Sequence, residues 1–277
     1  MVVFPNAKIN VGLDITARRP DNYHNICSVL YPVPWRDILE IVPAAGESTT
    51  LTVTGREVAC PAHKNLVMKA YNALAAEVNL PPVDIFLHKI IPDGAGLGGG
   101  SADAAFTLIA LNKLFDLRLS EDTLAAIAAT LGADCPFFIY DKPMLATGTG
   151  TTLTPINISL TGYGIIIIKP QVSIPTAEAY AGVTPATPDV SLSDIVVTTS
   201  PAEWKHSVKN DFEPTVFNRH PSIAGLKQWF YTEGAIYSSM SGSGSAVYGI
   251  FDTGYDNLAD KLRSICPECD IFAGTLD

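Results

Sequence analysis

Three parts of this chain carry groups that could take part in chemistry: a polar pair on one strand, a glycine-rich turn and one aspartate. Lys8 and Asn10 stand two residues apart in "NAKINVGLDIT", where apolar and polar residues alternate, so both belong to one face of a predicted strand. The turn "PDGAGLGGGSADAA" spans residues 92–105 and follows the predicted strand "PPVDIFLHKII". Asp134 lies in "LGADCPFFIY", between a predicted helix stop at Gly132 and a predicted strand. An ammonium, an amide and a carboxylate are the groups that proton transfer and charge stabilisation use.

The two charged side chains also have ordinary structural interpretations. A lysine within an apolar alternation is costly unless it is paired or exposed, and a solvent-facing strand is the usual explanation for Lys8. An aspartate close to a proline commonly hydrogen-bonds its own backbone in a turn. For Asp134 the residues alone leave both interpretations open, a general base and a turn residue.

The glycine-rich turn favours an anion site. A turn of this kind directs backbone N–H groups and the positive end of the next helix at an anion, whereas a turn without a ligand would be an entropically costly use of glycine. Ser101, the predicted cap of that helix, would offer a hydroxyl to a phosphate or to magnesium. The P-loop pattern fails because Gly100 stands where it requires lysine. Gly94, Gly96 and Gly99 match the dinucleotide pattern, but a second helix follows where that site requires a strand with an acidic end.

The rest of the chain alternates predicted strands and helices in two halves, which indicates an α+β or α/β protein. Helices are expected in "NLVMKAYNALAAEVN", after the glycine-rich turn, after Ser120, in "PSIAGLKQWFYTEG" and in "NLADKLRSIC". "AIYSSMSGSGSAVYGIF" predicts two strands joined by a glycine turn, and residues 181–203, rich in Pro, Thr and Ser, predict a long surface loop.

Composition excludes several classes of protein. The length of 277 residues suits two domains, and 47% hydrophobic with 17% charged residues describes a chain with a sizeable core. A net charge of −10 argues against nucleic-acid or anionic-membrane partners. The N-terminal sequence does not have the pattern of a signal peptide, and the odd number of cysteines fits a reducing cytoplasm. Cys266 and Cys269 have CxxC spacing without a second pair, so they are interpreted as chance thiols near a turn.

Several motifs together resemble those of the GHMP small-molecule kinases. "PDGAGLGGGSADAA" is similar to the family's phosphate loop, "AKIN" with "DNYH" to its first motif, and "LGADCPFF" to its catalytic segment. "KPQVSIPT", "NDFEP" and "MSGSGSAVYG" resemble its later motifs and follow in the family's order. The GLGGGS version is typical of members that phosphorylate the 2-hydroxyl of a cytidine diphosphate-linked methylerythritol, in the non-mevalonate isoprenoid pathway. A kinase of mevalonate, homoserine or a sugar is the alternative within the family.

The resemblance implies a two-domain α+β GHMP-kinase fold. An N-terminal domain like ribosomal protein S5 is expected over residues 1–154 and a ferredoxin-like α/β domain over residues 155–277, with the active site in the cleft between them. The implied cofactors are ATP and Mg²⁺, which bridges the ATP phosphates, and no metal-ligating residues of the protein are implied. The implied partner is a small-molecule substrate, with no nucleic acid or membrane, and the protein is expected to be a monomer or weak homodimer.

The resemblance also implies a role for each of the matching residues. Asp134 would act as the base, and Lys8 would be its electrostatic partner at the reacting hydroxyl. The residues implied in ATP binding are Asn65, Lys89, Pro92, Asp93, Gly94, Ala95, Gly96, Leu97, Gly98, Gly99, Gly100, Ser101 and Ala102. Those implied in substrate binding are Asn10, Tyr23, His24, Tyr180, Gly242 and Gly244.

Several of the matching positions carry a further expectation or an alternative. Tyr23 and His24 would read the cytosine, and Tyr180 would close the other face of the base. Asn65 also fits a helix cap, and Lys89 also fits a surface charge. The second glycine loop, "SGSGS" at residues 241–245, also fits a bare hairpin turn. Asn22 stands where the family usually has glycine, which changes the turn preference.

Overall fold

The structure of this protein, a computed structural model, describes residues 1–58, 60–255 and 257–277. Its strands are, in chain order, β1 (Val2–Val3), β2 (Asn6–Arg18), β3 (His24–Arg36), β4 (Ile38–Pro43), β5 (Thr50–Gly55), β6 (Val83–Lys89), β7 (Met144–Gly148), β8 (Thr152–Pro155), β9 (Gly164–Lys169), β10 (Tyr237–Met240), β11 (Val247–Phe251) and β12 (Asp270–Thr275). Its α-helices are α1 (Leu66–Glu77), α2 (Gly99–Leu114), α3 (Glu121–Ala129), α4 (Cys135–Tyr140), α5 (Thr176–Tyr180), α6 (Leu192–Thr198), α7 (Glu213–Arg219), α8 (Pro221–Thr232) and α9 (Leu258–Ile265).

Contacts divide the chain into two compact units that interleave along the sequence. The first unit comprises residues 1–7, 35–93 and 98–142, and the second comprises residues 8–34, 94–97 and 143–277. The glycine-rich turn is divided in the same way, because residues 94–97 pack within the second unit while the chain from Gly98 onward packs within the first. The predicted boundary at residue 154 stays a prediction, since neither unit is continuous in sequence.

The first unit combines one sheet with the helices α1 to α4. The strand order is β1-β4-β6-β5, in which β5 runs parallel to β6 and the other pairs are antiparallel. Strand β6 buries alternate residues, Val83, Ile85 and Leu87, as the period of two requires. Helix α2 has buried residues around most of its circumference, because its many alanines allow close packing.

The second unit contains two four-stranded sheets, ordered β2-β3-β7-β8 and β10-β11-β9-β12. In the latter sheet β9 is a central strand, antiparallel to β11 and β12, and its isoleucines 165–168 are all fully buried. Such a continuous apolar run is what a strand covered on both faces needs. The succession β9, helices, β10, β11, α9, β12 with this strand order is the βαββαβ arrangement of the predicted ferredoxin-like domain.

Most predicted elements are confirmed, and two of the predicted helix caps are present. The side chain of Asn65 accepts a hydrogen bond from the Val67 N–H at 2.9 Å at the start of α1. Ser120 likewise accepts from the Thr123 N–H at 3.1 Å at the start of α3. Within the described part of the chain, no helix combines the length and the apolar character that a membrane crossing requires.

Four local predictions are wrong. "CPFFIY" forms the buried helix α4 and not a strand, because Pro136 suits a first helical turn and a short apolar run does not determine element type. Residues 181–203 contain α6, which begins after Ser191, whose side chain accepts from the Asp194 N–H. Ser101 is inside α2 and not its cap. Helix α3 ends at Ala129, before the predicted stop glycine.

Candidate active site

Lys8 and Asn10 lie side by side on β2 and are buried, with exposed fractions of 3% and 4%. The Lys8 Nζ donates a hydrogen bond to Asn10 Oδ1 over 2.6 Å. Asn10 Nδ2 in turn donates to Ser28 Oγ over 2.8 Å, and Ser28 Oγ donates to the Gly12 carbonyl over 2.7 Å. The interpretation of Lys8 as a solvent-facing lysine is therefore wrong. A buried ammonium held by this relay has a fixed position, which is what stabilisation of developing charge requires.

The first half of the glycine-rich turn packs directly against the second glycine loop, within the second unit. A Cβ atom on Gly96 would lie 2.0 Å from the Ser241 carbonyl oxygen, and the Gly96 φ of +75° also favours glycine. The Ser241 hydroxyl donates to the Gly96 carbonyl over 2.8 Å and accepts from the Asn10 N–H at 3.3 Å. The Leu97 carbonyl accepts from the Lys8 N–H at 2.9 Å. Three motifs far apart in sequence thus meet at the start of β2.

The second glycine loop joins β10 to β11 and is held by two side chains that the sequence reasoning did not assign to the site. Gly242 and Gly244 have φ values of +55° and +91°, in the region that favours glycine. Asn210 Nδ2 donates to the carbonyls of Met240 and Gly242, each over 2.8 Å. Glu213 accepts from the Met240 N–H at 2.9 Å. The motif "NDFEP", which contains both residues, was the available signal for this positioning role.

The second half of the glycine-rich turn opens helix α2 in the first unit. Gly98 is the N-cap, with a left-handed φ of +73° and no side-chain cap, so the helix begins at Gly99, three residues earlier than a Ser101 cap would allow. Ser101 is the third helical residue and is half-buried. The first N–H groups of an α-helix lack partners within the helix and carry a partial positive charge. The start of this 16-residue helix can therefore hold an anion.

Lys89 is buried between two carboxylates of the first unit, so its interpretation as a surface charge is wrong. Its Nζ lies 2.5 Å from Asp37 Oδ2 and 2.7 Å from Asp103 Oδ2. Burial lowers the pKa of Lys89, but the two carboxylates raise it more, so the pKa stands above its usual value. Burial raises the pKa of Asp103, with Lys89 opposing the rise. Within the described residues, Asp103 Oδ1 has no hydrogen-bond partner.

The two carboxylates differ in what they hold. Asp37 Oδ1 accepts from the N–H groups of both Ile90 and Ile91, at the point where β6 ends and the turn begins. Replacing Asp37 by asparagine would put an NH₂ group against Lys89 or against these amides. We expect Asp37→Asn to lower the free energy of unfolding by about 3–5 kcal/mol, as for a broken buried ion pair.

Asp103→Asn is the matched variant, since it keeps the size of the side chain and leaves Lys89 paired with Asp37. Asp103→Asn should lower the free energy of unfolding clearly less than Asp37→Asn does, because Asp103 Oδ1 has no hydrogen-bond partner to lose within the described residues. Urea denaturation of the two variants beside the wild type measures the difference. Equal losses in the two variants would contradict this account of the cluster.

A small cavity of about 150 Å³ adjoins this cluster within the first unit. Its lining includes Asn65, Leu66, Lys89, Gly100 and Asp103. The structure thus brings Asn65, which the family resemblance implies in ATP binding, to one cavity with Lys89, and Asn65 also serves as the cap of α1. Because the Lys89 ammonium is occupied by carboxylates, its geometry favours positioning of the turn over direct contact with a ligand.

Asp134 is half-buried at the N-terminus of α4. Its side chain makes no capping hydrogen bond to α4. Asp134 belongs to the first unit and Lys8 to the second. Their joint action at one hydroxyl stays a prediction.

The predicted aromatic residues line one open cavity of about 680 Å³ in the second unit. Tyr23, 67% exposed, stands at its edge, and the lining also contains His24, Tyr180 and Arg18. The His24 ring stacks on Tyr180, with centroids 4.7 Å apart and planes at 18°. Phe212 supports Tyr180 edge-on at 4.8 Å. A flat base can enter such a cavity against aromatic faces that are already oriented.

Asn22 lies in the turn between β2 and β3 and has a φ of +66°. Glycine adopts a positive φ readily, which explains why the GHMP kinases usually have glycine at this position. Asparagine is one of the few other residues that adopt this conformation. The Asn22 side chain also accepts from the Arg18 guanidinium at 3.3 Å, on the wall of the same cavity.

Comparison with known proteins agrees with these motifs. Residues 65–142 match the GHMP kinases N-terminal domain, and residues 197–268 match the GHMP kinases C-terminal domain. A protein of Parabacteroides distasonis named 4-diphosphocytidyl-2-C-methyl-D-erythritol kinase is 49% identical over 276 residues, covering all of both chains. One of the same name from Bacteroides thetaiotaomicron is 51% identical over 254 residues, 91% of this chain and 92% of that protein. The chain belongs to the 4-diphosphocytidyl-2-C-methyl-D-erythritol kinase family of GHMP kinases.

Solved structures of GHMP kinases agree with the fold. A crystal structure of 4-(cytidine 5'-diphospho)-2C-methyl-D-erythritol kinase superposes with a TM-score of 0.84 and 32% identity, covering 100% of this chain and 99% of that one. Homoserine kinase from Cytophaga hutchinsonii has a TM-score of 0.73 at 17% identity, over 98% and 95% of the two chains, and shares the fold alone. The predicted two-domain α+β GHMP-kinase fold is confirmed, and the dinucleotide-binding interpretation of the turn is excluded.

Proposed function

We propose that this chain transfers the γ-phosphoryl group of ATP to the 2-hydroxyl of 4-diphosphocytidyl-2-C-methyl-D-erythritol. The observation that carries the proposal is the cavity of about 680 Å³ that Tyr23, His24 and Tyr180 line. Mevalonate, homoserine and sugars have no aromatic base to place there. Relatives about half identical to this chain carry the name of this kinase, which supports the same substrate.

In the proposed reaction the substrate hydroxyl attacks the γ-phosphorus, its proton passes to the Asp134 carboxylate, and ADP leaves. Removal of the proton as the new bond forms is the task of a general base. Lys8 offsets negative charge as the phosphoryl group moves, and its hydrogen bond to Asn10 keeps the ammonium in place. Asn10 holds the acceptor on the same face of β2. Phosphoryl transfer depends mainly on such positioning and charge stabilisation.

ATP is proposed to bind at the glycine-rich turn, with its phosphates at the N-terminus of α2 and its adenine in the cavity beside Asn65 and Leu66. An acidic protein needs such local devices for a polyphosphate, because its net charge is −10. Residues 92–102 supply the backbone for this cradle. The positive φ at Gly98, the N-cap of α2, lets backbone without a side chain face the ligand.

The donor set at the turn also fits a magnesium ion that arrives with ATP. Ser101 offers a half-buried hydroxyl in the first turn of α2, a hard oxygen of the kind that magnesium accepts beside phosphate oxygens. Ser101 would therefore hold the ion together with the nucleotide. When bound, magnesium would neutralise charge on the ATP phosphates.

The proposed specificity is tested by ADP release with the cytidylyl substrate and, in parallel, with mevalonate, homoserine and galactose. The expected result is turnover with the cytidylyl substrate and at most background release with the other three. Preferred turnover of any other acceptor would assign the chain to a different GHMP activity.

Tyr180→Ala is expected to raise the KM for the cytidylyl substrate while the KM for ATP stays unchanged. Loss of one base-stacking face costs about 1–3 kcal/mol, which corresponds to roughly 5- to 150-fold in KM. Tyr71→Ala is the control, because Tyr71 lies on α1 of the first unit and lines neither cavity. A change confined to the affinity for ATP would remove Tyr180 from the proposed cytosine site.

A cytoplasmic location and a monomeric or weakly dimeric state remain our expectations. All five cysteines are free thiols in the structure, which fits the proposed reducing compartment. Sedimentation of the purified protein over a range of concentrations would measure the oligomeric state.

A further inference from the structure

A cluster of potential metal ligands lies between α9 and β12, apart from every residue assigned above. The Sγ atoms of Cys266 and Cys269 and a carboxylate oxygen of Glu268 all lie within 4.8 Å of one another. Within the described residues, no other set of three His, Cys, Asp or Glu side chains brings its ligand atoms this close. The sequence motif "CPEC" thus supplies three ligands, and not the two that its CxxC spacing indicates.

Regular structure on both sides fixes the backbone of this turn. The Cys266 N–H donates to the Leu262 carbonyl over 2.8 Å as α9 ends, and the Cys269 N–H donates to the Cys266 carbonyl over 3.0 Å. The Gln171 side chain donates to the Glu268 carbonyl over 2.6 Å. Strand β12 begins at Asp270, directly after Cys269, and pairs with the central strand β9. Ligands on so constrained a turn lose little conformational entropy when an ion binds.

The donor set and the local field both favour a cation. Two cysteine sulfurs with one carboxylate match the ligands that zinc accepts, and three protein ligands leave a fourth position for water. In a tetrahedral zinc site the ligand atoms stand about 3.5–3.8 Å apart, so the cluster needs only a small inward movement. The Cys269 Sγ already lies 3.8 Å from Glu268 Oε1. The C-terminus of α9 adds the negative end of a helix dipole beside the cluster.

The same geometry disfavours a thiol–disulfide catalyst. Catalytic CxxC pairs use a thiolate that a helix N-terminus or a nearby cation stabilises. Here the pair follows the C-terminus of α9, and the Glu268 carboxylate, an anion, lies beside Cys269. Both thiols also pack at the edge of the apolar core of the second unit. Without a cation, these three groups would repel one another in their ionised forms.

We propose that Cys266, Glu268 and Cys269 form a binding site for one divalent ion of the zinc class, with water as the fourth ligand. On binding, the two thiols release their protons to solvent and form two metal–sulfur bonds, and the carboxylate supplies the third bond. The ion links the end of α9 to the start of β12 and so stabilises this corner of the second unit.

The test is titration of the reduced, full-length protein with Co²⁺, followed by competition with Zn²⁺. We expect one equivalent of Co²⁺ to produce the absorption of thiolate-to-cobalt charge transfer, and Zn²⁺ to remove it. Zn²⁺ should also raise the melting temperature, because an ion that binds only the folded state stabilises it. Cys266→Ser and Cys269→Ser should each abolish the absorption, and Glu268→Gln should weaken binding by about tenfold or more.

Controls make each result decisive. Cys60→Ser removes an exposed thiol outside the cluster and should leave the stoichiometry and the absorption unchanged. Circular dichroism and ADP release establish that the Cys266 and Cys269 variants are folded, and either variant suffices if the other does not fold. The proposal is overturned if the wild-type protein shows no stoichiometric charge-transfer absorption. It is also overturned if the cysteine variants retain that absorption, or if the pair forms a disulfide that zinc in excess does not prevent.

Discussion

Asp134→Asn is expected to lower kcat by about 10²–10⁴-fold while the dissociation constant for ATP stays close to that of the wild type. The amide keeps the size of the carboxylate but cannot accept the proton of the substrate hydroxyl. The Asp134 side chain does not cap α4, so the substitution removes no capping hydrogen bond from that helix. Single-turnover phosphoryl transfer with saturating substrates would measure the chemical step directly.

Asp116→Asn is a suitable control for this experiment. Asp116 is exposed, forms an ion pair with Arg118, and has a φ of +48° that asparagine tolerates. Its variant should keep wild-type turnover. Near-normal kcat in Asp134→Asn would remove Asp134 from the mechanism. A fall in kcat that is accompanied by a large fall in the free energy of unfolding would make the role of Asp134 structural.

Patterns of hydrophobicity predict the second unit well, because its strands are long or fully apolar. The alternation in β2 and the isoleucine run of β9 each correspond to a single element type. The apolar run of α4 is only six residues, a length at which strand and helix bury similar surface, so the prediction there was wrong. The start of α2 depends on one left-handed residue, Gly98, and a glycine in sequence does not reveal its φ.

The positions of polar side chains were harder to predict than the element types. Lys8 resembles a solvent-facing strand residue until Asn10 and Ser28 are seen to surround it with hydrogen-bond partners. Lys89 resembles a surface charge because its carboxylate partners come from residues 37 and 103, far apart in sequence. Burial of a charge depends on such long-range partners, which local periodicity does not contain. Family motifs identified these lysines as important but not how they are held.

The close contact between the two glycine loops leads to the second large expected effect, that of Gly96→Ala. A Cβ atom at this position would stand 2.0 Å from the Ser241 carbonyl oxygen, which belongs to backbone and cannot rotate away. The φ of +75° adds the cost of a left-handed conformation for alanine. Together these terms should lower the free energy of unfolding by about 2–5 kcal/mol.

Gly96→Ala should also lower kcat/KM for both substrates, because the contact aligns the glycine-rich turn, the proposed ATP site, with Lys8 and Asn10. Ser241 hydrogen-bonds the carbonyl of Gly96 and the backbone of Asn10, so a shift of Ser241 displaces both motifs.

Gly100→Ala is the matched variant for stability, since the nearest atom to its Cβ is Leu66 Cδ1 at 3.8 Å and its conformation is helical. It should change the free energy of unfolding by at most about 1 kcal/mol, in the stabilising direction. Urea denaturation of the two variants tests this. Destabilisation of Gly96→Ala alone indicates the specific backbone contact, whereas destabilisation of both variants indicates that the turn tolerates no side chain. If Gly96→Ala unfolds at the wild-type midpoint, the two glycine loops are not in the contact described for them.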